Sequence, residues 1–137
     1  MLRAAIVSAV LMAQVALIGC ADRMINVSNV VLTSGSAISQ GRRVPQSQFT
    51  TADYIEMLVD FTWSDPEDNG GVHVCDWKWF KDGKLVSKSL TKRLKFTSTP
   101  YTLHTERSAE TLGPGNFTVQ TIVDDKVVGT ASFTITN

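Results

Sequence analysis

Residues Val72–Gly83 read VHVCDWKWFKDG. His73, Cys75, Trp77 and Trp79 alternate with Val74, Asp76 and Lys78, which is the period of a β-strand. Asp82-Gly83 predicts a tight hairpin turn into Lys84-Leu85-Val86. The stretch is therefore expected to be the central strand of a small β-sandwich. Its odd-numbered side chains should point into the core, and Lys78 should point out.

The same alternation recurs on both sides of this strand. Ile25–Leu32 is rich in Val and Ile and reads as a first strand. In Tyr54–Trp63, the residues Ile55, Met57, Val59, Phe61 and Trp63 share one parity, and Glu56, Asp60 and Thr62 share the other. Tyr101–Thr105 is a short strand. Asn116–Val123 places Phe117, Val119, Thr121 and Val123 on one side. Asp124-Asp125 makes a hairpin turn into Lys126–Thr136, where Val127, Gly129, Ala131, Phe133 and Ile135 share a side. Ser34–Thr51 is polar and reads as a long connection, with a short edge strand near Arg43-Val44. Leu85–Phe96 is irregular and strongly basic. No segment shows a helical period. Six or seven strands, each with one apolar and one polar face, point to an all-β antiparallel sandwich. A small closed barrel is the competing architecture.

The N-terminus carries an address. Met1-Leu2-Arg3 is positive, and Ala4–Gly19 is apolar apart from Ser8 and Gln14. That run is marginal for a bilayer core of about 30 Å, and only Arg23, beside Asp22, follows it. A cleaved export signal fits better than a transmembrane anchor. The run ends Leu17-Ile18-Gly19-Cys20, which resembles the lipobox of bacterial lipoproteins. The resemblance implies a signal peptide at 1–19, lipidation of Cys20, a short tether at 20–23 and a single domain at 24–137. It also implies stable membrane anchoring, since each buried methylene contributes about 0.8 kcal/mol. Ala21, not Asp, follows the Cys, which in lipoproteins of enteric type favours the outer membrane, here with the domain on the periplasmic face.

About 118 residues remain after such a cleavage, enough for one core and too few for two. Lipidation of Cys20 would leave Cys75 alone, so no intrachain disulfide is expected. Thirteen Lys and Arg balance thirteen Asp and Glu, which argues against bulk nucleic-acid binding.

From Phe49 to Thr136 the chain also resembles the immunoglobulin-like or fibronectin-III-like domains of bacterial envelope proteins. The resemblance rests on WKWFKDGKLV, on GPGNFTVQ and on the DDKVVG hairpin that ends in FTI. It implies a sandwich of about seven strands and says little about function. Three departures stand out. Cys75 lacks a disulfide partner, Asp125 occupies the turn position usual for Gly, and Phe117 stands at a corner where Tyr is common.

Candidate sites are few. Cys75 reads as a small core residue. With His73 alone it makes a poor metal site, because zinc needs three or four ligands. Asp65, Glu67, Asp68 and Asn69 form a turn-rich loop before the central strand. It resembles a calcium loop but carries Glu67 and Asp76 where that motif needs other residues. No nucleophile elbow, zinc helix or phosphate loop is present, so no enzyme and no cofactor are expected. Charge is segregated. Acidic residues occupy 53–68, and Lys78, Lys81, Lys84, Lys88, Lys92, Arg93 and Lys95 follow. Lys78, Lys84, Lys88, Lys92 and Arg93 are the expected contact residues for an envelope protein or an anionic envelope component. Protection of exposed strand edges is the plainer use of such lysines. The expected function is thus a non-catalytic binding or accessory module of the cell envelope. The alternative is a lipoprotein that blocks an enzyme or receptor through its loops.

Overall fold

The computed structural model describes residues 18–20, 23–64 and 69–137. Most of the expected signal peptide therefore lies outside the described residues, as do Asp65, Glu67 and Asp68. Among the described residues no helix is long and apolar enough to cross a membrane.

The elements follow in the order β1 (Ile18–Cys20), β2 (Arg23–Ser34), α1 (Gly35–Ser39), β3 (Gln48–Thr50), β4 (Tyr54–Thr62), β5 (Gly71–Lys81), β6 (Lys84–Lys88), β7 (Lys92–Phe96), β8 (Tyr101–Ser108), α2 (Ala109–Leu112), β9 (Gly115–Val123) and β10 (Lys126–Thr136). They form two sheets, one of order β1-β2-β4-β8 and one of order β3-β10-β9-β5-β6. β7 also pairs with β5, beside its first half, while β6 pairs with its second half. Consecutive partners are antiparallel, and β3 alone runs parallel to its neighbour, β10. This is an all-β, immunoglobulin-like sandwich, with β5 inside the larger sheet as its alternation requires.

Parity decides the core. His73, Cys75, Trp77 and Trp79 are buried on β5, and Ile55, Met57, Val59 and Phe61 are fully buried on β4. Aromatic rings pack against one another within the larger sheet and, through Phe61 and Phe96, between the two sheets. Trp79 meets Phe133 edge-on at 5.9 Å, and Phe61 lies 5.2 Å from Phe96. Phe117 stacks on Phe133 at 5.2 Å, so the corner lacking a tyrosine hydroxyl is held by ring contact instead.

Four expectations need correction. First, Val127 does not share the inward face of β10. A bulge between Val127 and Gly129 turns Val127 outward, 47 % exposed, and Val128 inward. The extra residue resets the period of two. Gly129 then lies so close to the other sheet that a Cβ would come within 3.1 Å of Met57 and Val59. Second, the short edge strand is Gln48–Thr50, not Arg43-Val44. Third, two short helices interrupt the strands. Ser34 caps α1 by accepting a hydrogen bond from the Ala37 amide at 3.2 Å. Fourth, Glu56 does not face solvent and is 9 % exposed. α1 and the connection after it lie over that face of the smaller sheet. The Gln46 amide donates to the Leu32 carbonyl at 2.8 Å, and the Arg43 guanidinium donates to Asp60 at 2.6 Å and to Thr102 at 3.2 Å. Leu58 and Thr33 are buried beneath the same cover.

The pairing also gives the sandwich a direction. β2 begins at the end where β4 finishes, since Asn26 pairs with Thr62. The start of β5, the end of β7 and the β9–β10 turn lie at that end too. Tyr54, α1, α2 and the Asp82-Gly83 turn lie at the far end.

Candidate functional site

The expected basic residues collect at one edge of the larger sheet, and the register sorts them. Lys78 stands opposite Lys88, Val74 opposite Arg93, and Val72 opposite Lys95. Lys78, Lys88, Arg93 and Lys95 thus share the outer face. Lys84 pairs with Lys81, and Lys92 with Cys75, so these two have the opposite parity, although both remain exposed. The five expected contact residues therefore do not form one strip. Lys78 and Lys88 have no ion-pair partner among the described residues, and like charges directly opposite each other repel. Asp76, on the same face, accepts a hydrogen bond from the Thr91 hydroxyl. Val72, Leu85 and Val86 are about half exposed around these cations, and Leu90, in the β6–β7 loop, is 86 % exposed.

Of the loop candidates, Asn69 accepts a hydrogen bond from the Gly71 amide at 3.2 Å. The loop's last residue is clamped. A Cβ on Gly70 would come within 2.8 Å of Trp63 and 2.9 Å of Phe96, and the Gly70 carbonyl lies 2.8 Å from His73 Nε2. His73 Nδ1 meets the Asp124 carboxylate at 2.7 Å, and that carboxylate also accepts from the Val74 amide at 2.9 Å. Each ring nitrogen of His73 faces an oxygen that can only accept. The histidine is thus a structural latch between the β4–β5 loop and the β9–β10 turn.

Burial, then the Asp124 and Asp76 charges, pushes the Cys75 thiol up to about 12, which keeps it protonated and unreactive. Among the described residues no group of three His, Cys, Asp or Glu is placed to hold a metal ion. Cys20 ends β1, which pairs with the start of β2.

One arrangement was not expected. Glu56 and Glu106 stand directly opposite each other on β4 and β8. Burial raises the Glu56 pKa first; the Glu106 charge and the hydrogen bond that the protonated Glu56 carboxyl donates to Glu106 raise it further, against an opposing effect of His104. A cavity of about 500 Å³ opens beside the pair, bordered by Ser36, Asp53 and Tyr54. The sequence holds both glutamates in plain view. Only strand register pairs them, and no local motif encodes that register.

The pair makes a prediction about stability. The folded chain binds the Glu56 proton more tightly than the unfolded chain does. Stability therefore falls as pH rises from the ordinary carboxylate range through the raised value. Glu56→Gln should stabilise the domain at pH 7.5 by about 0.5–1 kcal/mol, the cost of opposed like charges, and should leave stability at pH 4 nearly unchanged. Thermal unfolding at the two pH values checks this.

No family model matches the chain, and no curated protein matches it significantly. Solved structures do. An immunoglobulin-like protein from Pseudomonas aeruginosa aligns over 82 % of this chain and 96 % of its own, at 10 % identity and a TM-score of 0.56. The alkylpurine DNA glycosylase AlkC of Pseudomonas fluorescens, solved bound to DNA containing an abasic site analog, aligns over 82 % of this chain at 11 % identity and a TM-score of 0.54. A β-glucosidase from Listeria innocua, in complex with glucose, aligns over 82 % at 10 % identity and a TM-score of 0.52. The alignment spans only 30 % and 16 % of those two enzymes. At such identities the likeness establishes the fold alone, an immunoglobulin-like sandwich.

Proposed function

We propose that this chain is a lipoprotein of the bacterial envelope, anchored through Cys20 to the outer membrane on its periplasmic side, whose sandwich is a non-catalytic binding module for an anionic envelope partner. The observation that carries the reading is the outer face of the larger sheet. Lys78 and Lys88 lie side by side there without ion-pair partners among the described residues, next to Arg93, Lys95 and exposed aliphatic side chains. An acidic partner relieves that repulsion and covers the apolar surface, and salt weakens the attraction. The tether adds a geometric argument. β2 starts three residues after Cys20, so the end with the start of β5 faces the membrane and the basic face points sideways along it. The β4–β5 connection leaves from that same end, which puts it in a poor position to block a partner further out.

Two experiments test the proposal. Cys20→Ala should abolish labelling by a palmitate analogue and release the protein from membranes. Pull-down from solubilised envelopes should recover a partner whose capture falls about tenfold or more with Lys78→Glu/Lys88→Glu, and much less with Lys84→Glu, which has the other parity. Equal capture by the wild type and the double variant removes the basic face from the reading.

A further inference from the structure

His73 sits where three segments meet. It lies near the start of β5, its side chain 6 % exposed, and its ring centroid is 4.5 Å from that of Phe96 on β7. Nδ1 is 2.7 Å from the Asp124 carboxylate, and Nε2 is 2.8 Å from the Gly70 carbonyl. A carboxylate and a carbonyl accept hydrogen bonds and cannot donate them. A neutral imidazole has one N–H and satisfies one of the two oxygens. The imidazolium has two and satisfies both. The Phe96 ring beside it also suits a cation.

We propose that His73 is a pH-sensitive clasp: protonated, it pins Gly70 to the β9–β10 turn, and on losing its proton to solvent it lets Gly70 go. The two arms are unequal. The bond to the Asp124 carboxylate joins opposite charges and is the stronger, so Nδ1 keeps its hydrogen and Nε2 loses it. Asp124 is held in place meanwhile, since its carboxylate accepts from the Val74 amide at 2.9 Å and its own amide donates to the Val74 carbonyl at 2.8 Å. The bare Nε2 then confronts the Gly70 carbonyl, lone pair against lone pair. Gly70 gives way. Its amide donates to the Phe96 carbonyl at 2.7 Å, so its release loosens the Gly71–Phe96 pair where β5 begins.

Histidine is the side chain that ordinarily changes charge between about pH 5 and 8. The clasp is complete on the acid side of that change and opens as pH rises through it. Asp124, from the β9–β10 turn, is the charged group in contact with the ring. Asp125 and Lys126 follow it and are exposed. On β5 itself, Asp76 has the opposite parity, and Cys75 stays protonated. β7 brings Leu94 and Phe96, with Tyr101 of β8 stacked behind Phe96, while Arg93 and Lys95 take the outer face. β2 begins at this end with Arg23. Asp65, Glu67 and Asp68 lie outside the described residues. The clasp rests on neither the lipid anchor nor the basic face, so it stands or falls separately from them.

The test follows the full chain by NMR from pH 5.5 to 8.5. Nitrogen–proton correlation of the histidine rings should show both His73 nitrogens protonated at the acid end and Nε2 bare at the alkaline end. Across the same span, amide protection at Gly70, corrected for the intrinsic pH dependence of exchange, should fall about tenfold or more, while Val119 on β9 stays protected. Asp124→Asn, which removes the charge that holds the imidazolium, should move that loss to lower pH. His73→Gln places a non-titrating amide donor near the position of Nε2 and should make protection at Gly70 independent of pH. His104→Gln, at the other histidine, should leave the dependence unchanged. A neutral His73 ring at pH 5.5 overturns the proposal, and so does constant protection at Gly70 while the ring titrates. An equal loss at Val119, or a pH dependence that survives His73→Gln, overturns it as well.

Discussion

Trp79→Ala is expected to lower the stability of the domain by about 3–5 kcal/mol, which moves the melting temperature down by roughly 12–25 °C. Trp79 is fully buried near the C-terminal end of β5. Its ring meets Phe133 on β10, and the Arg107 guanidinium of β8 lies 5.6 Å from the ring centroid. Truncation leaves a cavity bordered by three strands from both sheets, and a close-packed core collapses into such a space only in part. Since domains of this size are stable by only about 5–15 kcal/mol, part of the population should be unfolded at 37 °C. Trp79→Phe separates volume from chemistry. The indole N–H of Trp79 has no hydrogen-bond partner among the described residues, so phenylalanine gives up area but also removes a buried donor without a bond there. Its cost should stay near about 1 kcal/mol. Urea unfolding of both variants checks the pair. A phenylalanine variant as unstable as the alanine variant would show that the indole nitrogen makes a bond after all.

Asp124→Ala should cost about 2–4 kcal/mol, a large effect for a residue in a surface turn. Three terms add. The Val74 amide and His73 Nδ1 lose their acceptor, each at about 1–3 kcal/mol when left unpaired in a partly buried place. The position also has φ of 49°, a left-handed backbone that alanine adopts poorly and aspartate tolerates. Two further variants divide the total. Asp124→Gly removes the carboxylate and relieves the backbone, so it should be less damaging than alanine. Asp124→Asn keeps an acceptor for the Val74 amide and should be the mildest. Hydrogen exchange adds a readout that global stability does not provide. His73 bridges Asp124 and Gly70, so losing the carboxylate should speed exchange at Gly70 and Gly71 more than at Val119 in the middle of β9. Equal acceleration at all these amides would mean that His73 does not couple the loop to the turn.

The neighbouring Asp125 explains a departure noted in the sequence. Its φ is 65°, so the turn has the two positive φ values that glycine usually serves. Aspartate fills both positions here, and the first of them is the one whose carboxylate ties β5 down.

How much of this was legible in the chain depends on the range of the interaction. The alternation in Val72–Gly83 identified β5, its inward face and the burial of Cys75, Trp77 and Trp79. A strand's side chains alternate by local backbone geometry, so a dozen residues suffice to read them. The same holds for β4 and β9, and for the Asp-Gly and Asp-Asp turns, whose chemistry lies in adjacent residues. Where an inserted residue breaks the local period, as between Val127 and Gly129, the pattern misleads, because the bulge is specified by a close approach to Met57 and Val59 on the other sheet.

The two surfaces with chemical content depended on register. The run from Lys78 to Lys95 looked like one basic strip in the sequence. Pairing with β5 placed Lys78, Lys88 and Arg93 on one face and turned Lys84 and Lys92 to the other. Glu56 had the parity of a solvent-facing residue, yet a connection without regular alternation folds back over it. Its partners Thr33 and Glu106 come from strands far away in sequence. By itself, then, the sequence determined the all-β character, the regularly alternating strands and the core side of each of them. The tertiary structure alone decided which lysines share a face and that two glutamates and a threonine form a row. Periodicity within a strand is set by bonds between neighbours, whereas register between strands is set by the packing of the whole core, which no short stretch contains.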